Sequence, residues 1–395
     1  MITVEVALSR VIAGLAPTAA EMVSLAQARH RVLAEDCRAR TDHPPVDVSR
    51  MDGYALRAAD AAGPLAVIGQ AAAGHGFDGM VMPGQAVRIF TGAPLPAGAD
   101  CVVMQEECRQ VDTLLSLETQ PEPDQYVRRQ GMDFRHGQVL LPVATLMSPR
   151  HVALAAAMNL PWLKVRRRPR VAIIATGDEI VLPGETLGPA QLPSSNSAGL
   201  AAMVEANGGE AVDLGIAADN RHALHGLIDA AQGCDLLVTS GGASVGDYDM
   251  VREVLGEQGL DLDFWKIAMR PGKPLMFGRL RHVPVLGLPG NPVAAMVTAT
   301  LFLIPMLRAL QGLPQIDATR PAQLAVAMPA NDSRQDYVRA SLRRQADGLA
   351  QATPLGRQDS AVLTGLAAAD CLIVRPPHAA PAQAGDRVCV VMLDP

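Results

Sequence analysis

Four segments between residues 175 and 293 carry residue types that can grip an anion or a cation. The richest is Thr239-Ser-Gly-Gly-Ala-Ser-Val-Gly-Asp-Tyr-Asp249. Gly241, Gly242 and Gly246 let backbone N–H groups approach a ligand closely, and Ser240 and Ser244 add hydroxyl donors. Asp247 and Asp249 add carboxylates, which together suggest a phosphate held beside a divalent cation. The run lacks Gly-Lys-Ser/Thr, so it is not the phosphate loop of the usual NTPases. A second segment, Ala175-Thr-Gly-Asp-Glu179, sets Asp178 and Glu179 after a glycine turn at a strand end; taken alone it reads equally as a solvated acidic loop. The third, Lys266-Ile-Ala-Met-Arg-Pro-Gly-Lys-Pro274, places Lys266, Arg270 and Lys273 in a Pro/Gly-stiffened stretch suited to an oxyanion. In the fourth, Leu286-Gly-Leu-Pro-Gly-Asn-Pro-Val293, Asn291 fits a helix N-cap and Pro292 the first helical position. Such a helix start also points free N–H groups at an anion.

Two further segments lie in the first third. Ser49-Arg-Met-Asp-Gly-Tyr-Ala55 puts Asp52 in a turn, and Arg88-Ile-Phe-Thr-Gly-Ala-Pro94 puts Thr91 at a strand end. Each alone is an ordinary turn. His-Glu-x-x-His, Gly-x-Ser-x-Gly and a Cys/His zinc pattern are all missing from the sequence. His222 and His225 share a helix face without a third ligand nearby and read as surface or core residues.

The elements that must position these residues follow from periodicity. From Arg170 onward, apolar runs at 171–175, 211–216, 235–239, 275–277 and 283–288 alternate with helical patterns at 197–207, 221–231, 250–258 and 292–310. That alternation predicts a mostly parallel three-layer α/β domain, whose ligand sites lie beyond the carboxyl ends of the strands. Residues 1–40 carry Ala, Leu and Val at helical spacing and predict helices. Short β-like runs at 64–70, 86–90, 101–105 and 114–118 predict a small β domain. Residues 148–160 read as a helix capped by Ser148 and started by Pro149. Beyond about Arg320, the runs 337–344 and 349–353 flank Ala346-Asp347-Gly348, a strong hairpin signal, with further strands at 371–375 and 388–393.

The predicted fold class is therefore multidomain α/β plus β. A discontinuous helical linker domain spans 1–46 and 141–168, and a β-rich domain spans 47–140. An α/β ligand-binding domain spans 169–318, and a C-terminal β domain spans 319–395.

Composition sets outer limits. A net charge of −6 argues against broad binding to nucleic acid or an anionic membrane. The six cysteines, Cys37, Cys101, Cys108, Cys234, Cys371 and Cys389, show no Cys-x-x-Cys spacing and read as reduced thiols in small hydrophobic roles. No basic stretch precedes a long apolar run at the N-terminus, so a cytoplasmic protein is expected. The apolar run at 293–307 carries Thr298, Thr300 and Pro305 and reads as a buried core helix.

The segments taken together resemble the molybdopterin molybdenumtransferases, the MoeA family related to the gephyrin E domain. The matches are Met51-Asp-Gly-Tyr-Ala55, Arg88-Ile-Phe-Thr-Gly-Ala93, Thr176-Gly-Asp-Glu179, Ser240-Gly-Gly-Ala-Ser-Val-Gly-Asp-Tyr-Asp249, Arg270-Pro-Gly-Lys-Pro274 and Leu288-Pro-Gly-Asn-Pro-Val293, in order across most of the chain. The resemblance implies a four-part subunit in a homodimer, with the active site between subunits. It implies adenylylated molybdopterin and molybdate as substrates, Mg2+ as cofactor, and other molybdenum cofactor biosynthesis proteins as partners. Its catalytic positions fall on Asp52, Thr91, Asp133, Glu179, Asp219 and Asp249. Substrate-binding roles then fall to Ser240, Gly241, Gly242, Ser244, Gly246, Lys266, Arg270, Lys273, Asn291, Arg339 and Ser360. Metal-binding roles fall to Asp178, Glu179, Asp247 and Asp249. The family often has Asp-Ser-Asn where this chain has Ser194-Ser-Asn196, which removes one carboxylate. Two rivals are weighed: an ATP-dependent molybdopterin adenylyltransferase, which shares the α/β domain but not the extra β domains or the Met51-Asp-Gly-Tyr54 run, and a non-catalytic dimeric scaffold, which would keep the dimer but lose the acidic cluster present here.

Overall fold

The computed structural model describes residues 1–218, 220–241, 250–345 and 348–393. Packing divides the chain into two compact units. One comprises Met1–Glu21, His30–Ala34 and Val165–Pro395; the other comprises Met22–Arg29 and Glu35–Lys164.

In the first unit a six-stranded sheet forms the α/β layer. Its order is Glu210–Ala217, Arg170–Thr176, Leu236–Ser240, Val283–Leu288, Pro274–Leu280, Leu260–Lys266. The first four strands are parallel and the last two antiparallel. Alternation along each strand separates two cores. Val171, Ile173, Leu236, Val238, Leu286 and Leu288 face one side, against Leu200, Val204 and the helical stretch from Val293 to Leu310. Ala172, Ile174, Leu237 and Val285 face the other, against Leu224, Ile228, Val251 and Val254. Period-2 strands with apolar residues on both faces can only be buried between two helical layers, which gives the predicted three-layer arrangement.

Sequence spacing missed the edge strand Leu260–Lys266, because Asp261 and Asp263 break its apolar pattern. Lys266 therefore ends a strand rather than starting a loop. The stretch 292–310 has a mean hydropathy of 1.9, and 61% of its apolar window is buried, as befits a core helix. It runs as Pro292–Thr298 and Ile304–Leu310, joined by a π-helical segment Ala299–Leu303. Pro305 has no N–H to donate to the preceding turn, and the wider π turn accommodates that gap.

Five C-terminal strands and Met269–Arg270 form a second six-stranded sheet in the same unit. Gln335–Arg344, Ala350–Pro354, Thr319–Leu324, Arg387–Met392 and Cys371–Arg375 pair in that order. Cys371–Arg375 then pairs back onto Gln335–Arg344 and closes a five-stranded barrel. Gly348 takes φ +89° where the hairpin signal was read. Closure removes free edges, which a small sheet otherwise exposes to aggregation.

The second unit holds a six-stranded sheet in the order Cys101–Met104, Gly53–Leu56, Gln85–Ile89, Leu65–Ala71, Leu114–Leu117, Cys108–Val111. The helix Pro149–Ala157 starts as predicted, with Ser148 and His151 forming a capping box.

The N-terminus departs from expectation. Only Val4–Ile12 is α-helical within 1–40, and Gly14 and Pro17 end the helical pattern. That helix buries Val4, Ala7 and Val11 in the α/β core. Residues 1–21 group with the α/β unit and 141–164 with the β unit, where Cys37–Arg38 pairs with Val139–Leu141. Helical spacing identifies an amphipathic face but not the core that covers it.

Candidate functional site

The chain leaves Arg170–Thr176 for Glu210–Ala217 on one side of the sheet and returns to Leu236–Ser240 on the other. The point where the connections diverge opens a crevice at the strands' carboxyl ends. A cleft of about 730 Å³ lies there, lined by Thr176, Glu179, Asn196, Ser240, Gly241 and Gly290 among others. All four anion-binding segments contribute to its lining, the third only through Pro274.

Glycine is required at the centre. Gly241 adopts φ +93°, and a Cβ there would sit 2.6 Å from the Thr176 carbonyl oxygen. Its N–H donates to the Leu288 carbonyl at 3.3 Å, tying two parallel strand ends. Gly177 also has positive φ (+136°), and the Glu179 carboxylate folds into the space a Cβ would fill. The Asn196 side-chain amide donates to Ser240 Oγ at 2.8 Å and to the Gly290 carbonyl at 2.9 Å. Ser194, standing where the family often has Asp, is a buried hydroxyl 3.3 Å from Ser197 Oγ. Thr176, Ser240 and Gly241 stand at neighbouring strand ends, so among the described residues backbone and hydroxyl groups shape most of the cleft wall, with Glu179 its charged side chain.

In the β unit, sheet register unites two motifs 39 residues apart. Gly53 pairs with Ile89, which brings the Asp52 turn beside Thr91. The Thr91 N–H and hydroxyl both donate to Asp52 Oδ1 at 2.7 Å. The Thr91 hydroxyl above all, then its N–H, hold the Asp52 carboxyl below its ordinary range; the Arg88 charge adds to this, against slight desolvation. Arg88 is itself held over the Tyr54 and Phe90 rings at 4.9 and 5.1 Å and donates to Gln105. Asp52 is thus an exposed, pre-oriented, ionised carboxylate.

Residues 2–159 match the MoeA N-terminal region (domain I and II), 172–309 the probable molybdopterin binding domain, and 321–393 the MoeA C-terminal region (domain IV). A molybdopterin molybdenumtransferase from Nostoc sp. is 39% identical over 90% of this chain and 85% of its own length. The Haemophilus influenzae enzyme of that name is 34% identical over 99% of this chain and 98% of its own. The chain belongs to the molybdopterin molybdenumtransferase family. Two molybdopterin biosynthesis MoeA structures from Pyrococcus horikoshii share the fold of this molybdenumtransferase, with TM-scores of 0.88 and 0.85 at 31% and 25% identity. The first covers 100% of both chains; the second covers 99% of this chain and 100% of its own.

The molybdenumtransferase does not use all the expected residues alike. Asp219, Gly242, Ser244, Gly246, Asp247 and Asp249 lie outside the described residues. Among the described residues no group of three His, Cys, Asp or Glu side chains is placed to hold a metal. Asp178 and Glu179 are exposed at the Thr176 strand end, with Glu179 lining the cleft. Asp133 is exposed in the β unit, where its N–H donates to the His43 carbonyl.

The three cations expected to converge are divided. Arg270 pairs with Asp336 and, at 3.3 Å, with Asp332, so its charge is neutralised by the C-terminal barrel. Lys266 sits 4.1 Å from the Trp265 ring centroid. Pro274 is the register partner of Lys266, which sets the exposed Lys273 on the adjoining strand end.

Arg339 corrects its expected role most clearly. It is 1% exposed, and its guanidinium donates to the carbonyls of Arg357, Asp359 and Val362 at 2.9–3.0 Å. Those donors are no longer free for a substrate, so Arg339 shapes the loop that carries Ser360. That loop reaches the cleft: Asn291 donates to Ser360 Oγ at 2.9 Å, and the Val293 N–H donates to the Ser360 carbonyl at 3.0 Å. Asn291 occupies the N-cap position, yet its side chain makes no capping bond. The barrel loop thus takes up the Val293 N–H at the helix start, while Gly290, Asn291 and Pro292 still line the cleft. Neither contact is visible in sequence, because 69 residues separate Asn291 from Ser360.

Asn196 was missed as a site residue. Its only sequence signal is its place in Ser194-Ser-Asn196, just ahead of a helix. Cys37, Cys101, Cys234 and Cys371 are buried as expected, whereas Cys108 is half-buried and Cys389 exposed; burial pushes Cys101 and Cys371 up to about 12, where they are unreactive.

Proposed function

We propose that this chain transfers molybdenum from molybdate to adenylylated molybdopterin and releases AMP. The observation that carries this reading is the switch-point cleft, where Thr176, Ser240, Gly241 and Gly290 converge. A nucleotide-linked pterin presents a pyrophosphate, and hydroxyl and backbone donors in a preformed crevice suit it. The substrate supplies its own dithiolene sulfurs, so no side-chain nucleophile is required. Ser240 donates to a phosphate oxygen, and Lys266 and Lys273 supply positive charge at the adjoining strand ends. Asp52, ionised and oriented by Thr91, orients or deprotonates a water or thiol; Asp133, Asp219 and Asp249 complete the acidic set.

Mg2+ fits the donors present: Asp178 and Glu179 are hard oxygen ligands at the cleft end of a strand, and Gly177 leaves room for the Glu179 carboxylate. Asp247 and Asp249 complete the set in this reading. When bound, the cation neutralises charge on the phosphate oxygens. The working subunit is a four-part chain divided at 46/47, 140/141, 168/169 and 318/319, acting as a cytoplasmic homodimer.

The deciding assay incubates the full-length protein and Mg2+ with adenylylated molybdopterin, with and without molybdate. AMP release that requires molybdate is expected. Formation of adenylylated molybdopterin from ATP, without molybdate-dependent AMP release, would overturn the assignment in favour of an adenylyltransferase. No turnover by a correctly folded dimer would favour a scaffold.

A further inference from the structure

We infer that Asn196 is a positioning residue that fixes the Ser240 hydroxyl as a hydrogen-bond donor toward an anion in the cleft. The inference rests on the proposed function only for the identity of that anion.

Donor and acceptor roles fix the geometry. A main-chain carbonyl can only accept, so the Asn196 atom against the Gly290 carbonyl is necessarily its NH2 nitrogen. That same nitrogen is 2.8 Å from Ser240 Oγ. An amide NH2 does not accept, so Ser240 Oγ must be the acceptor here. The NH2 group has two protons, and the two contacts use both. The Ser240 proton is then left to donate elsewhere. Ser240 is 3% exposed at a strand end, and the cleft it lines is where that proton can be delivered. A serine free to rotate could present either a lone pair or a proton to a ligand; one held by Asn196 presents the proton. A buried donor prearranged in this way favours an anion without reorganisation on binding.

The amide does a second job with the same atom. Through Gly290 it ties the start of the Pro292–Thr298 helix to the end of the Leu236–Ser240 strand. A purely structural tie would need only shape and one contact, and this separates the two roles experimentally.

The probe is inorganic pyrophosphate, titrated calorimetrically into the full-length protein, alongside turnover of adenylylated molybdopterin. Asn196→Asp keeps the shape but turns the donor into an acceptor, which recruits the Ser240 proton away from the ligand. At about pH 8 pyrophosphate affinity should fall about 10-fold or more, and KM should rise similarly with kcat changed less. The ratio of variant to wild type should begin to narrow only as pH falls toward about 3.9, where a protonated carboxyl can donate one of the two bonds again. Wild type measured at the same pH is the reference for each ratio. The losses from Asn196→Asp and Ser240→Ala should be strongly non-additive in the double variant.

Additive losses in the double variant would show that the residue does not act through Ser240. Wild-type protein that fails to bind pyrophosphate would equally overturn the inference. Wild-type protein that binds pyrophosphate in this manner, yet lacks molybdate-dependent AMP release, would sink the proposed function and leave Asn196 in place.

Discussion

The cleft of the α/β sheet and the Asp52–Thr91 pair of the β unit solve opposite problems. Among the described residues the cleft is made of strand ends, glycines, hydroxyls, the Asn196 and Asn291 amides and the Glu179 carboxylate; its geometry depends on close backbone approach. The pair is made of one charge held by two donors from a single residue. The first site is intolerant of added volume and suited to binding. The second tolerates volume but not loss of charge, and is suited to chemistry. The same contrast recurs among the arginines. Arg339 and Arg270 look like anion ligands by type, yet commit their donors to a loop and to two carboxylates.

The largest expected effect is at Gly241. Gly241→Ala meets both a left-handed backbone (φ +93°) and the Thr176 carbonyl, and should cost roughly 2–5 kcal/mol and abolish turnover. Chemical denaturation together with the AMP-release assay checks this; a variant as stable and active as wild type would break the idea of a volume-intolerant cleft.

Asp52→Asn comes next. Turnover should fall about 10²–10⁴-fold with little change in melting temperature. The pH behaviour sharpens the contrast. A depressed carboxyl contributes its full effect above the unfolded value of about 3.9, and loses it only as pH falls through the lower folded value. From about pH 5 to 9 Asp52 stays ionised, so the ratio of wild-type turnover to that of the Asp52→Asn variant should be flat there. A limb in that range, present in wild type and missing from the variant, would contradict the depressed state.

Arg339→Lys should affect stability more than chemistry. A lysine cannot span three carbonyls, so unfolding should become easier by about 2–4 kcal/mol. Below the melting transition, turnover should fall less than about 10-fold. A selective rise in KM with unchanged stability would restore Arg339 to the substrate side of the comparison.

Much of this molecule was legible in its residues. Alternating apolar runs from Arg170 onward marked most strands and helices close to their observed ends, because strands buried on both faces leave a strong local pattern. The Ser148-Pro149 helix start and the Gly348 turn are local for the same reason. The motif order identified the family. Harder to see were the edge strand 260–266, where alternating acids hide the core face, and the extended course of residues 13–40, where alanine-rich sequence suits a helix in isolation.

The sequence by itself determined the glycines, the acids and the strand periodicity, since each depends on near neighbours or on intrinsic backbone freedom. Only the tertiary structure decided which donors remain free. Asn196 meets Ser240 and Gly290, 44 and 94 residues away, and Arg270 meets Asp336 across 66. A side chain's chemistry is set by its residue type, but whether that chemistry is already satisfied depends on partners that only folding brings within about 3 Å.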